Sequence, residues 1–230
     1  MVARFVSLLL LRHGQSEWNA IRRWQGLADS PLDDLGRRQA VDAAAALAAT
    51  GDRFQSVWSS PLARAAETGE IIAAHLGLGD VRLDERLREA DAGEWQGMTP
   101  DQIDAAYPGF LAEHRRPPTF ESAEHVIERA SEALLTIARR SSPDTGAVVV
   151  TTHSGVIRTI IRHLGWVDER VPNLGGVWIS VDTSTTDATA RFDLRRRFDP
   201  NGVVRTGVDA PGEDPGEQAD ESEAHRSAER

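Results

Sequence analysis

Two apolar runs constrain this chain more than any other feature. They are FVSLLLL at residues 5–11 and AVVVT at residues 147–151, and each leads within two residues to a histidine loop, "LLRHG" and "VVTTHSG". A continuous apolar run of this length reads as a strand buried on both faces. Residues 5–11 are interrupted by Ser7 and lack a small-x-small cleavage pattern behind them, so they do not read as a signal peptide. They also fall well short of the about 20 apolar residues that span a bilayer. The expectation is a soluble, cytoplasmic protein with no membrane partner.

The segments between these runs read as helices and further strands. A helix is expected from about Asp34, closed by Gly51; a short strand at FQSVWSS; then a helix with Ser60 as N-cap, Pro61 as first helical residue and Gly77 as terminator. Thr99-Pro100 starts a short helix ending before Pro108, and residues 122–140 form a longer amphipathic one. A helix follows His153 and closes at Gly165, and strands near 177–181 and 191–195 complete the order. Strands alternating with helices predict an α/β fold: a three-layer α/β/α sandwich around a mostly parallel sheet. In such sheets ligands gather beyond the carboxyl ends of the strands. If the two apolar strands are parallel neighbours, His13 and His153 face one another there.

Composition then removes whole classes of chemistry. The chain has no cysteine and no lysine, so thiolate nucleophiles, disulfides, Walker-type lysines and Schiff bases are all excluded. All 26 basic residues are arginine, so a single arginine is weak evidence of anion binding. Residues 209–230 carry eight acids and two arginines, a net −6 of the formal −10. Residues 1–208 read as one domain of mildly acidic balance, which argues against a nucleic-acid partner. The tail at 209–230 has almost no apolar content and is expected to be disordered.

Beyond the strand ends, Arg12, His13, Arg64 and His153 suit a phosphate ester. Guanidinium forks match phosphoryl oxygens, and a neutral imidazole in a basic pocket can attack phosphorus. Gly14 lets backbone approach the anion, and N–H groups at the helix start after His153, Ser154 first among them, could add donors. A leaving alkoxide needs a proton, and DERLREADAGEWQG offers Asp84, Glu85, Glu89, Asp91 and Glu94, among which spacing cannot choose. His75, His114, His125 and His163 read as helix-surface or packing residues. No histidine pair has the i, i+4 zinc spacing, and Gly-x-Ser-x-Gly is absent, so neither a zinc hydrolase nor a serine hydrolase is expected.

Taken in order, LLRHGQSEWN, RRWQGLADSPLDDLGRRQA, SSPLARAAET, LREADAGEWQG and VVVTTHSGVIR resemble the histidine phosphatase superfamily, the phosphoglycerate-mutase-like fold. The resemblance runs over about residues 7–181. It implies His13 as nucleophile, Arg12, Arg64 and His153 as ligands of the phosphoryl group, and Glu89 as proton donor. It places Asn19 and Gln25 along the phosphate pocket and implies neither metal nor cofactor. Family members often carry Gly-Glu-Ser before the long helix; here the stretch is FES at residues 120–122. Serine also stands where glycine often follows the second histidine.

The acid motif is similar to that of the phosphatase branch, and the stretch available for a lid, residues 99–121, is short. The expected activity is therefore a phosphomonoesterase acting on sugar-phosphate or phosphoglycerate-type esters. A phosphoglycerate mutase and a catalytically inactive phospho-ligand binder are the alternatives. Arg22, Arg23, Arg115 and Arg116 are candidates for a second anionic group of the substrate. A homodimer is the candidate assembly.

Overall fold

The computed structural model describes residues 4–184 and 192–200. Its centre is a six-stranded sheet in the order β3-β2-β4-β1-β5-β6. The strands are β1 (Phe5–Arg12), β2 (Phe54–Ser59), β3 (Arg82–Leu83), β4 (Ala147–Thr152), β5 (Gly176–Asp182) and β6 (Phe192–Phe198). β1 pairs in parallel with β4, β4 with β2 and β2 with β3, while β5 runs antiparallel to both β1 and β6. The two apolar runs are thus the central parallel pair. Their register sets Leu8 opposite Val148 and ends with Arg12 opposite Thr152, which leaves the two histidines side by side.

Helices cover both faces, as the alternation of strands and helices predicted. Successive leucines of β1 point to opposite sides and found two cores. Leu8 and Leu10 pack with Val126, Ala130, Leu134 and Ile137 of α5 (Ala123–Arg139) and with Val156, Ile157 and Ile160 of α6 (Ser154–His163). Leu9 and Leu11 pack with Ala43, Ala44 and Leu47 of α2 (Asp34–Ala49) and Ile72 and Ala73 of α3 (Ala63–His75). Gly51, Gly77 and Gly165 all stand just past a helix end with positive φ, as their sequence positions implied.

Three features differ from the sequence reading. The helix expected to begin at Ser60-Pro61 begins at Ala63, and no side chain of its own N-cap residue, Leu62, caps it. Ser60 Oγ accepts the Leu62 N–H at 3.3 Å while meeting His153 Nε2 at 2.8 Å, and the carboxylate of Asp29 accepts the Ala63 N–H at 2.6 Å. α1 (Glu17–Ala20), a single turn held by a capping box between Ser16 and Asn19, and the two-residue strand β3 were not anticipated. Both are too short to leave a periodic signal.

α4 (Pro100–Ala106) starts at Thr99 with a capping box to Gln102. It belongs to a small third core, in which Ala92, Trp95 and Ile103 pack with Trp24, Tyr107, Phe110 and Phe120. The acidic tail and Arg191 lie outside the described residues. No helix among the described residues is long and apolar enough to cross a membrane.

Candidate active site

His13 follows the last residue of β1, and its N–H donates to the Thr152 carbonyl at 3.0 Å, extending the β1–β4 ladder by one step. His153 occupies the corresponding place after β4 and caps α6. The two rings meet edge to face with centroids 5.2 Å apart. Both are buried, at 3% and 0% exposure.

Hydrogen bonds assign the tautomer of His13. Its Nδ1 lies 2.6 Å from the Gly14 carbonyl oxygen, which can only accept, so Nδ1 carries the proton. Nε2 then presents its lone pair, and Arg64 Nε–H approaches it at 3.2 Å. Burial, then the charges of Arg64 and Arg12, hold the His13 pKa well below its ordinary value, overriding the carbonyl that favours the cation. His153 is held low for the same first reason, burial, with Arg64 and then His13 adding to it. Both imidazoles are neutral at pH 7.

Arg64 is fully buried. Its Nη1 donates to the Ala28 carbonyl at 2.8 Å and its Nη2 to that of Gly26 at 3.0 Å, so the loop after Gln25 grips the fork. Arg12 donates from Nη1 to the Val171 carbonyl at 2.9 Å. Burial pushes both guanidinium pKa values down to about 10, and the Glu89 carboxylate opposes the shift in each. Among the described residues, Arg12 Nε and His153 Nδ1 find no hydrogen-bond partner and are buried. The Arg12 Nε–H, on the residue next to His13, suits an anion that would supply the missing acceptor.

Glu89 stands closest to the helix start after His153. Its Oε2 accepts the Gly155 N–H at 3.2 Å and its Oε1 the Ala90 N–H at 2.9 Å. A Cβ at position 155 would clash with that carboxylate, so glycine there is what admits Glu89. Of the other four acids, Asp84 is bonded to Arg86 and Asp91 to the Gly93 N–H, while Glu85 and Glu94 are exposed.

The remaining expected residues divide. Gln25 is buried and accepts the Ser16 hydroxyl at 2.8 Å, while the Asn19 carbonyl oxygen accepts the Ser16 N–H at 3.3 Å. Both therefore brace the loop carrying His13. Ser154 is the first residue of α6. Arg23 is drawn to the Gly97 carbonyl at 2.6 Å and lies over Trp18, and Arg22 is exposed with positive φ. Arg115 pairs with Glu113, and Arg116 sits over Trp24, Trp95 and Phe120. Gly14 is also required by a contact within the protein. Its N–H donates to Thr68 Oγ1 at 3.1 Å, and a Cβ on it would lie 2.5 Å from the Gly36 carbonyl oxygen, so it is the approach of α2 that requires glycine.

Sequence reasoning missed two site residues. Ser60 bonds His153 Nε2 at 2.8 Å, and Asn173 Nδ2 donates to the His13 carbonyl at 2.9 Å. Ser60 had a local signal, read as a helix cap. Asn173, 160 residues beyond His13, had none.

Comparison with known proteins bears on this geometry. The family model for the histidine phosphatase superfamily (branch 1) matches residues 8–178. The chain belongs to the histidine phosphatase superfamily. Its relatives include the glucosyl-3-phosphoglycerate phosphatase of Mycolicibacterium vanbaalenii, 36% identical over 211 residues that cover 84% of this chain and 92% of that one. They also include a 2,3-bisphosphoglycerate-dependent phosphoglycerate mutase of Parvibaculum lavamentivorans, 40% identical over 170 residues, 68% of this chain and 79% of the other. Among solved structures, a mycobacterial glucosyl-3-phosphoglycerate phosphatase with VO3 superposes with a TM-score of 0.67 at 31% identity, covering 84% of this chain and 97% of that chain. This histidine phosphatase is thus a phosphomonoesterase by type, with the phosphoglycerate-mutase-like fold that its motifs implied.

Proposed function

We propose that this histidine phosphatase hydrolyses small phosphorylated metabolites, sugar phosphates or phosphoglycerate-type esters, through a phosphohistidine on His13. The observation that carries the reading is the His13 ring itself: Nδ1 tied to the Gly14 carbonyl, the Nε2 lone pair turned toward the Arg64 Nε–H at 3.2 Å, and the imidazole kept neutral beside two guanidiniums. Nε2 attacks phosphorus as the ester P–O bond breaks, and Glu89 gives its proton to the departing alkoxide. Water then attacks the N–P bond, returning a proton to Glu89 and phosphate to solvent. Arg12, Arg64 and His153 hold the phosphoryl oxygens. Asn19, Gln25 and Ser154 line the same pocket, and Arg22 and Arg23 face the rest of the substrate. The enzyme is cytoplasmic in this reading and acts on free metabolites, with a homodimer as its candidate assembly.

A glycosylated phosphoglycerate is the favoured substrate, because the M. vanbaalenii relative matches across most of both chains. The similarity to a mutase supports a second reading, in which phosphoryl returns to the glycerate instead of passing to water. One experiment separates them. Wild type and His13→Ala are assayed on glucosyl-3-phosphoglycerate, phosphoserine, 3-phosphoglycerate and p-nitrophenyl phosphate, following both phosphate release and 3- to 2-phosphoglycerate isomerisation. The expected result is phosphate release that falls at least about a thousandfold in His13→Ala. Isomerisation without release would replace the phosphatase with a mutase, and binding without turnover would leave a phospho-ligand binder.

A further inference from the structure

Arg129 is not part of any of the five sequence motifs, and no step above uses it. It nevertheless places all five of its N–H donors. Nε donates to Glu121 Oε1 at 2.7 Å, and Nη2 to Glu121 Oε2 at 2.8 Å and the Glu89 carbonyl at 3.2 Å. Nη1 donates to the carbonyls of Arg86 at 2.8 Å and Arg88 at 2.7 Å. Thr152 Oγ1, at the end of β4, donates to the Leu87 carbonyl at 2.8 Å. Four consecutive carbonyls, 86 to 89, are therefore held by two side chains.

The other flank of Glu89 is held as well. Glu121 Oε2 accepts the Asp91 N–H at 3.1 Å, and the Glu121 N–H donates back to the Asp91 carbonyl at 2.9 Å. Arg129 and Glu121 are only 14% and 11% exposed at their side chains. Burial pushes the Glu121 carboxyl up, but Arg129 and the Asp91 N–H outweigh it and hold it below its ordinary value.

We propose that Arg129, locked by Glu121, is the positioning residue for the proton donor: it fixes the backbone from 86 to 91 so that the Glu89 carboxyl meets the leaving oxygen. The inference rests on Glu89 being that donor. The hold of Arg129 on that backbone comes from fork geometry, while its charge also reaches His153 and helps to lower that pKa. A lysine offers three rotatable donors from a point and cannot span Glu121 and three carbonyls at once.

A positioning role makes a prediction that a merely structural role does not. Proton donation matters for an alkyl ester, whose alkoxide leaves poorly, and little for p-nitrophenyl phosphate, whose phenolate leaves unaided. The experiment measures kcat/KM on both esters for wild type, Arg129→Lys, Arg129→Met, Glu89→Gln and the Glu89→Gln/Arg129→Lys double variant. Glycerol 3-phosphate serves as the alkyl ester. Incomplete folding lowers both rates alike, so the ratio of the two is the readout.

The expected result is a ratio that falls about tenfold or more in both Arg129 variants, with the inhibition constant of inorganic phosphate unchanged and no further fall in the double variant. Equal losses on the two esters, or a double variant whose ratio falls again by as much, would overturn the proposal. A Glu89→Gln enzyme that loses equally on both esters would remove the proton-donor reading, and the proposal with it.

Discussion

His13 and His153 meet conflicting demands. In the proposed reading a nucleophilic imidazole must be neutral and a phosphate pocket cationic; burial of the rings beside Arg12 and Arg64 reconciles the two. That arrangement has a stability signature. Burial is the first cause of both depressed pKa values, which lie well below the ordinary 6.5. Below 6.5 the unfolded chain takes up protons that the folded chain refuses, so this contribution is fully present above 6.5 and is lost as pH falls toward the folded values. Each histidine adds a slope of up to about 1.4 kcal/mol per pH unit in that window. Urea unfolding at about pH 7.5 and 5.5 should show wild type losing stability more steeply than His13→Gln/His153→Gln. Parallel losses would mean that the imidazoles are not the groups responsible.

The elements matter through their ends. The first turn of α2 is stitched to the loop after β1: Asp33 accepts the Gly36 N–H at 2.7 Å and the Gln15 side-chain amide at 2.8 Å, and Gln39 accepts the Gln15 N–H at 2.9 Å. Gly14 and Gly36 touch at this junction, and a Cβ on Gly36 would strike the Gln15 carbonyl. Gly36→Ala should therefore push the helix end off the His13 loop. Overpacking of this kind costs about 1–3 kcal/mol, and the displaced loop should lower kcat by more than the folded fraction explains. Arg38→Ala, at an exposed position on the same helix, should change neither. Paired denaturation and rate measurements check both variants.

At the scale of the whole molecule, one strand serves two cores. Leu9 and Leu10 are both fully buried but lie on opposite faces of the sheet, against α2 and α3 on one side and α5 and α6 on the other. Each to alanine should cost about 2–5 kcal/mol, and because the faces share β1 the molecule should still unfold in one transition. Trp58 belongs to one core and Trp178 to the other. Fluorescence and circular dichroism should report the same midpoint in Leu9→Ala and in Leu10→Ala. Separate midpoints would show that the two faces melt independently.

Local chemistry determined much of this protein. Apolar runs have one good place in a fold, a covered sheet centre, so β1 and β4 were legible, and so were the histidines at their ends. Helix stops at Gly51, Gly77 and Gly165 were legible because only glycine takes a left-handed φ cheaply. Of five acids in one run, the residues alone could not choose Glu89, and the family resemblance named it. The tertiary structure alone decided how it is held. The Gly155 N–H that meets Glu89, the Asn173 amide on His13 and the Arg129 fork over residues 86–89 join positions 40 to 160 residues apart. Such contacts leave no periodicity in a chain, because their partners become neighbours only after the sheet has closed.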